Sequence, residues 1–129
     1  MADVTILLSA LLFGGMVLYS FGFAAFVFTN LPADLAGPLI RKAFPHFYLF
    51  VLGCALLAGI SAVFVDRVST MLLAFIAVTT IYARQVLMPA INAATDAGNA
   101  ARFKRLHGMS VGITLVHIGI AAWVVLRLS

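Results

Sequence analysis

No glutamate occurs in this chain of 129 residues, and negative charge is carried only by Asp3, Asp34, Asp66 and Asp96. None of the four lies inside a long apolar run, so there is no buried carboxylate of the kind a proton-coupled carrier uses. Paired-carboxylate acid–base catalysis is missing for the same reason, and proton chemistry would fall to three histidines. The sequence contains no G-x-S-x-G elbow, no phosphate-cradling glycine loop and no H-x-x-x-H metal pair. The single cysteine, Cys54, cannot close an internal disulfide and leaves the redox compartment undetermined. No repeat, heptad array or low-complexity tract is present.

Charge of either sign is scarce. Lys, Arg, Asp and Glu make up 9% of the chain and apolar residues 64%, against roughly a quarter and half in soluble domains. Such a chain cannot furnish a polar surface, so its surplus apolar area must face lipid. Four apolar runs are expected to cross the bilayer, over about residues 4–29, 45–65, 69–91 and 106–126, within one domain covering 1–129. A segment from Asp34 to Phe44, with Leu35, Leu39 and Ile40 beside Arg41 and Lys42, reads as a separate interfacial helix. Pro45 is expected at the first turn of the second span, and Pro89 is expected to kink or end the third. Gly98 reads as a C-cap and Asn99 as the following N-cap. Met1-Ala2-Asp3 lacks the basic start of a secretory signal, so the first span is expected to be retained.

The fold class is therefore all-α, an integral membrane four-helix bundle. Arg41, Lys42, Arg102, Lys104 and Arg105 gather on one side with Arg84 nearby, and Arg67 and Arg127 lie on the other. The positive-inside bias puts the basic loops in the cytoplasm and both termini on the non-cytoplasmic side. Basic charge placed at helix ends answers to membrane topology, which argues against nucleic acid as a partner. Membrane lipids, other membrane subunits or further copies of the chain are the expected partners. The bacterial inner membrane is the expected location.

Small residues allow close helix contact where lipid removes the hydrophobic drive. Gly15 and Gly22 in the first span, and Gly108, Gly112 and Gly119 in the fourth, are the expected packing positions within the bundle. Phe13, Phe21, Phe23, Phe26 and Phe28 are expected to face lipid or a partner.

Among polar residues, Arg84 is the one strong charge within a predicted span. Its plainer explanation is a stem that snorkels outward at a helix C-terminus. The sharper one is an anion or headgroup clamp with Gln85 and Asn92. His46 and His107 share a depth near the cytoplasmic face and could ligate a metal or haem b, although interfacial histidines are common. With Ser110 these residues form the candidate polar cluster. His117 lies ~15 Å deeper than His107. Cys54 reaches a similar depth, which makes the two a candidate ligand pair, but a zinc site would lack its remaining ligands. A hydrogen bond from His117 to a neighbouring Ser, Thr or carbonyl is the simpler expectation.

Gly14-Gly15, Phe21 to Phe28, Ala43-Phe44-Pro45-His46-Phe47-Tyr48, Leu87-Met88-Pro89-Ala90-Ile91-Asn92 and Phe103-Lys104-Arg105-Leu106-His107-Gly108-Met109-Ser110 together resemble the family related to transmembrane protein 205. The resemblance implies a four-span bundle of unestablished biochemistry, with distinctive residues at Pro45, Pro89, His107, Gly108 and Ser110. The chain departs from that pattern at Gly112-Ile113-Thr114, where members often carry an amide. In architecture it is also similar to four-span haem-binding membrane oxidases, which place a histidine in the first span, where this chain has none. A non-catalytic accessory or assembly subunit is the leading expectation. A haem-b or metal-binding redox protein using His46, His107 or His117 comes second. An oligomeric transport or efflux component, with Arg84, Gln85 and Asn92 at its mouth, comes third.

Overall fold

A computed structural model describes all 129 residues. Four long helices account for nearly the whole chain: α1 (Ala2–Asn30), α2 (Ala33–Ala62), α3 (Arg67–Asp96) and α4 (Ala100–Leu128). Each is long and apolar enough to cross a membrane, since ~30 residues at ~1.5 Å span ~45 Å against a hydrocarbon layer of ~30 Å. The chain is an all-helical, four-helix integral membrane protein without strands.

Short turns force neighbouring helices antiparallel. The α2–α3 turn ends at Asp66, whose side chain accepts from the Ser69 amide at 3.0 Å and caps α3. Gly98 adopts a φ of 67°, a conformation that glycine reaches without steric cost. It closes α3 through Gly98 N–H to Thr95 O and Asn99 N–H to Ala94 O, and Asn99 then caps α4. Packing is cyclic: α1 touches α2 and α4, and α3 touches the same two. Thr5 on α1 bonds Ser61 on α2 at 2.7 Å, and Arg127 on α4 pairs with Asp66 at 2.7 Å. Both termini therefore share one end of the bundle with the α2–α3 turn. That end is termed the terminal end, and the opposite one the basic end.

The interfacial segment expected at Asp34 to Phe44 is not a separate helix. It forms the first turns of α2, which runs unbroken through Pro38 and Pro45. A proline inside a helix removes a donor from the carbonyl four residues back. The carbonyls so freed are those of Asp34 and Arg41; close by, Tyr19 Oη donates to Ala43 O at 2.8 Å and Arg84 Nε to Pro45 O at 3.3 Å, which fastens this stretch of α2 to α1 and α3.

Two helices widen locally into π-turns, at Leu18–Phe23 in α1 and Ala83–Leu87 in α3. The second precedes Pro89, whose missing N–H and ring require the ladder to shift. Pro89 thus neither ends α3 nor splits it, and the helix reaches Asp96.

The core is assembled from Leu12, Met16, Phe47, Val51, Leu73, Ile76 and small alanines. Seven of the 26 buried residues are polar: Thr5, Ser9, Ser61, Ser69, Thr80, Thr114 and His117. Large apolar side chains point outward instead, among them Phe21, Phe26 and Phe28. Phe23 is the exception, half-buried with its ring 5.2 Å from Tyr19.

A Cβ on Gly15 would run into the ring of Phe50 and force it to move, whereas Gly22 is exposed and a Cβ there would meet only Leu18 of its own helix, so the expected packing role holds for Gly15 and not for Gly22. The α4 glycines do the opposite of what their spacing suggested. A Cβ on Gly108, Gly112 or Gly119 would meet open space, and all three are exposed. The inward face of α4 carries Ser110, Thr114, His117, Ala121 and Val124 instead. These side chains are small or can hydrogen-bond across the interior, so the glycine face is left to the outside.

Candidate functional site

The candidate site is a polar level roughly a third of the way into the bundle from the basic end. Prolines and π-turns disturb the backbone there, and side chains from all four helices contribute. Tyr19 from α1 donates to Ala43 O on α2. Ser20 donates back to Met16 O within α1. Tyr48 on α2 and Ser110 on α4 lie 3.0 Å apart, oxygen to oxygen. Arg84 on α3 reaches Pro45 O with Nε and Gln85 Oε1 with Nη1, at 3.3 and 2.9 Å. Tyr19, Phe44, Phe47 and Tyr48 pack as an aromatic cluster at this level, with ring centroids 5.1–6.2 Å apart. Such contacts exceed simple area burial by ~0.5–1.5 kcal/mol per pair, so the level is rigidly supported.

Of the expected cluster, the structure joins Arg84 with Gln85, and links Ser110 to Tyr48. His46 and His107 are exposed at the basic end, and His107 stacks on Phe103 with centroids 5.3 Å apart. Asn92 is half-buried with no side-chain hydrogen bond. Arg84 does not run outward as a snorkelling stem. It is half-buried and anchored across the α2–α3 seam.

His117 is 4% exposed, and its Nε2 lies 2.6 Å from Thr79 Oγ1 on α3. Thr79 also donates to Phe75 O at 2.8 Å. One hydroxyl has one proton, so the geometry assigns the proton of the Thr79–His117 bond to Nε2. Cys54 is buried on α2, and no group of three or more His, Cys, Asp or Glu side chains converges anywhere. Two buried hydroxyls, Ser9 Oγ and Thr80 Oγ1, have no partner.

The terminal end has its own network. Asp66 accepts from Arg127 Nε at 2.7 Å and from Ser69 Oγ at 2.5 Å, and Arg127 stacks on Trp123 at 5.1 Å. The Arg127 guanidinium, and after it the Ser69 hydroxyl, hold the Asp66 carboxyl well below the usual carboxylate range. Two open apolar hollows lie on the outer surface. One of about 510 Å³ sits between α3 and α4, lined by Val68, Leu72, Val116, Gly119, Ile120 and Trp123. The other, about 210 Å³, follows the α2–α3 seam past Leu56, Gly59, Val63, Thr70 and Ala74.

Sequence reasoning missed Tyr19, Tyr48 and Thr79 as partners. Tyr48 carried a usable signal, since it lies one turn from Pro45 at the depth of Ser110. Thr79 carried none, because its direction depends on how α3 is rotated in the bundle.

No curated protein and no solved structure matches this chain. The model of a family described as a domain of unknown function (DUF4149) matches residues 7–100, a stretch that takes in most of α1, all of α2 and α3 and the α3–α4 turn, and the chain belongs to that family.

Proposed function

We propose that this protein is a non-catalytic accessory or assembly subunit of a larger membrane complex, related to transmembrane protein 205. In this reading it sits in a bacterial inner membrane, with the basic end in the cytoplasm and both termini outside. The observation that carries it is the outward face of α4. Gly108, Gly112 and Gly119 leave a backbone-deep strip there, continuous at Gly119 with the hollow between α3 and α4. In a bilayer, small residues on an otherwise bulky surface permit close approach of another helix, which gains van der Waals contact that lipid tails supply less well. The relationship to transmembrane protein 205 is supported by three of its distinctive positions having structural work here. Pro45 O receives Arg84, Pro89 follows the π-turn, and Ser110 meets Tyr48.

Blue-native electrophoresis of gently solubilised membranes tests the reading. The wild type should migrate in an assembly larger than one chain, and Gly112→Leu should release the monomer with its helix content unchanged. Migration of the wild type as a monomer alone would discard the proposal. A single cysteine in the Arg102 to Arg105 turn, placed in a Cys54→Ser background, tests orientation. Labelling by an impermeant reagent in intact cells would reverse it.

A further inference from the structure

The geometry points to a specific site for an anionic phospholipid in the α2–α3 seam, with its phosphate on Arg84 and one acyl chain running toward the terminal end. It is separate from the α4 face discussed above.

Arg84 is an uncompensated cation. The two ion pairs of the chain are Arg41 with Asp96 and Arg127 with Asp66. Arg84 instead meets two neutral acceptors, Pro45 O and Gln85 Oε1, and its Nη2 donates to nothing in the chain. A guanidinium has five N–H donors and favours two-pronged contact with phosphate oxygens. Twelve positions separate Arg84 from Asp96, or ~18 Å of helix. Within an apolar span an unpaired guanidinium calls for a counter-charge, and an anion brought from the lipid side is the natural one. Lys42, Arg102, Lys104 and Arg105 at the same end form no ion pair, and such clusters draw anionic headgroups.

The seam below Arg84 suits a hydrocarbon chain. On α2, Pro45, Leu49, Leu52, Leu56, Gly59 and Val63 follow at alternating steps of four and three, which keeps them on one face. On α3, Arg84, Ile81, Ala77, Ala74 and Thr70 do the same. The two lines converge on the hollow of about 210 Å³ that contains Leu56, Gly59, Val63, Thr70 and Ala74. Ala74 lies ten residues from Arg84, ~15 Å along the helix, within the length of an ordinary acyl chain. Between Arg84 and the hollow both lines carry only apolar residues, Leu49 and Leu52 on α2 and Ile81 and Ala77 on α3.

Native mass spectrometry of the purified chain in detergent, titrated with dioleoyl-phosphatidylglycerol, tests the site. One lipid per chain should bind, preferred over dioleoyl-phosphatidylcholine. Arg84→Gln should weaken it about tenfold or more, as expected for a lost charged hydrogen bond. Arg84→Lys should recover part of the affinity, and Lys104→Ala should leave it nearly intact. Ala74→Leu, which fills the hollow, should weaken the dioleoyl lipid several-fold but not the dihexanoyl form. Equal binding of the two headgroups, or unaltered affinity in Arg84→Gln, would overturn the proposal. Displacement by excess inorganic phosphate would reassign the cation to free phosphate and overturn the lipid site. Should Arg84→Gln fail to fold, the headgroup comparison on wild type and the Ala74→Leu chain-length contrast decide alone. Unchanged dioleoyl affinity in Ala74→Leu would remove the tail from this seam.

Discussion

The two ends of this bundle handle charge in opposite ways. At the terminal end, Asp66 caps α3, pairs with Arg127 and receives Ser69, while Arg127 lies on Trp123. One carboxylate thereby ties the α2–α3 turn to α4. In the basic half, Lys42, Arg84, Arg102, Lys104 and Arg105 have no carboxylate partner, and the one ion pair, Arg41 with Asp96, is exposed. That half is held by rings and by side chains bonded to backbone carbonyls. The contrast teaches that the two ends are fastened by different means, charge at one and rings with carbonyl bonds at the other. A closed network consumes its charges internally, while unpaired cations on a rigid aromatic base remain able to meet an external anion.

The strongest way to break the contrast is to loosen the aromatic base. Phe47 is 1% exposed and touches Tyr19, Phe44 and Tyr48. Phe47→Ala should cost ~3 kcal/mol, the usual penalty for a large core cavity, read as denaturant stability in detergent. Amide exchange should rise mainly in the basic half. Uniform loss of protection over the whole chain would show that the halves are not separately supported.

Next in size is the terminal network. Asp66→Asn removes the ion pair and weakens the cap, and should lower the thermal midpoint by ~5 °C. Its pH dependence has a fixed sign. The folded carboxyl titrates below its ordinary value, so its stabilising contribution is complete above the unfolded pKa of ~4 and is lost as pH falls through the folded value. The wild type should therefore exceed Asp66→Asn by a constant margin from neutral pH down to about 5, and the margin should close under stronger acid. A margin that widens on acidification would contradict the pairing.

Smaller effects sharpen the comparison further. Thr79→Val deletes the contact with His117 and should cost ~0.6 kcal/mol, typical of hydrogen bonds between membrane helices. Asp96→Asn should be nearly silent in stability, because both partners of that pair are largely in solvent. If Asp96→Asn were more damaging than Asp66→Asn, the assignment of fastening to the terminal end would be reversed.

Much of the architecture was readable from residue order. Hydropathy located four helices, Asn99 marked a cap, and Gly98 marked the stop between α3 and α4. Arg84 and Gln85 were also readable as polar residues within an apolar run. Two local expectations were wrong for a shared reason. The segment before Pro45 and the glycines of α4 were judged by short-range rules, and each was decided by distant groups. Around Pro45, Tyr19 and Arg84 fasten α2 to α1 and α3, and the segment packs as part of one long helix. Ser110, Thr114 and His117 take the inward face of α4 and turn its glycines outward.

Composition and the order of apolar and charged residues alone committed this chain to lipid, because its backbone amides and abundant apolar surface have no other stable arrangement. Helix rotation was left to the tertiary structure. A helix apolar on every side has no hydrophobic preference for which face turns inward when its surroundings are equally apolar. Hydrogen bonds between helices, ring packing and close contact at Gly15 made that choice, and with it placed Arg84 on the seam between α2 and α3.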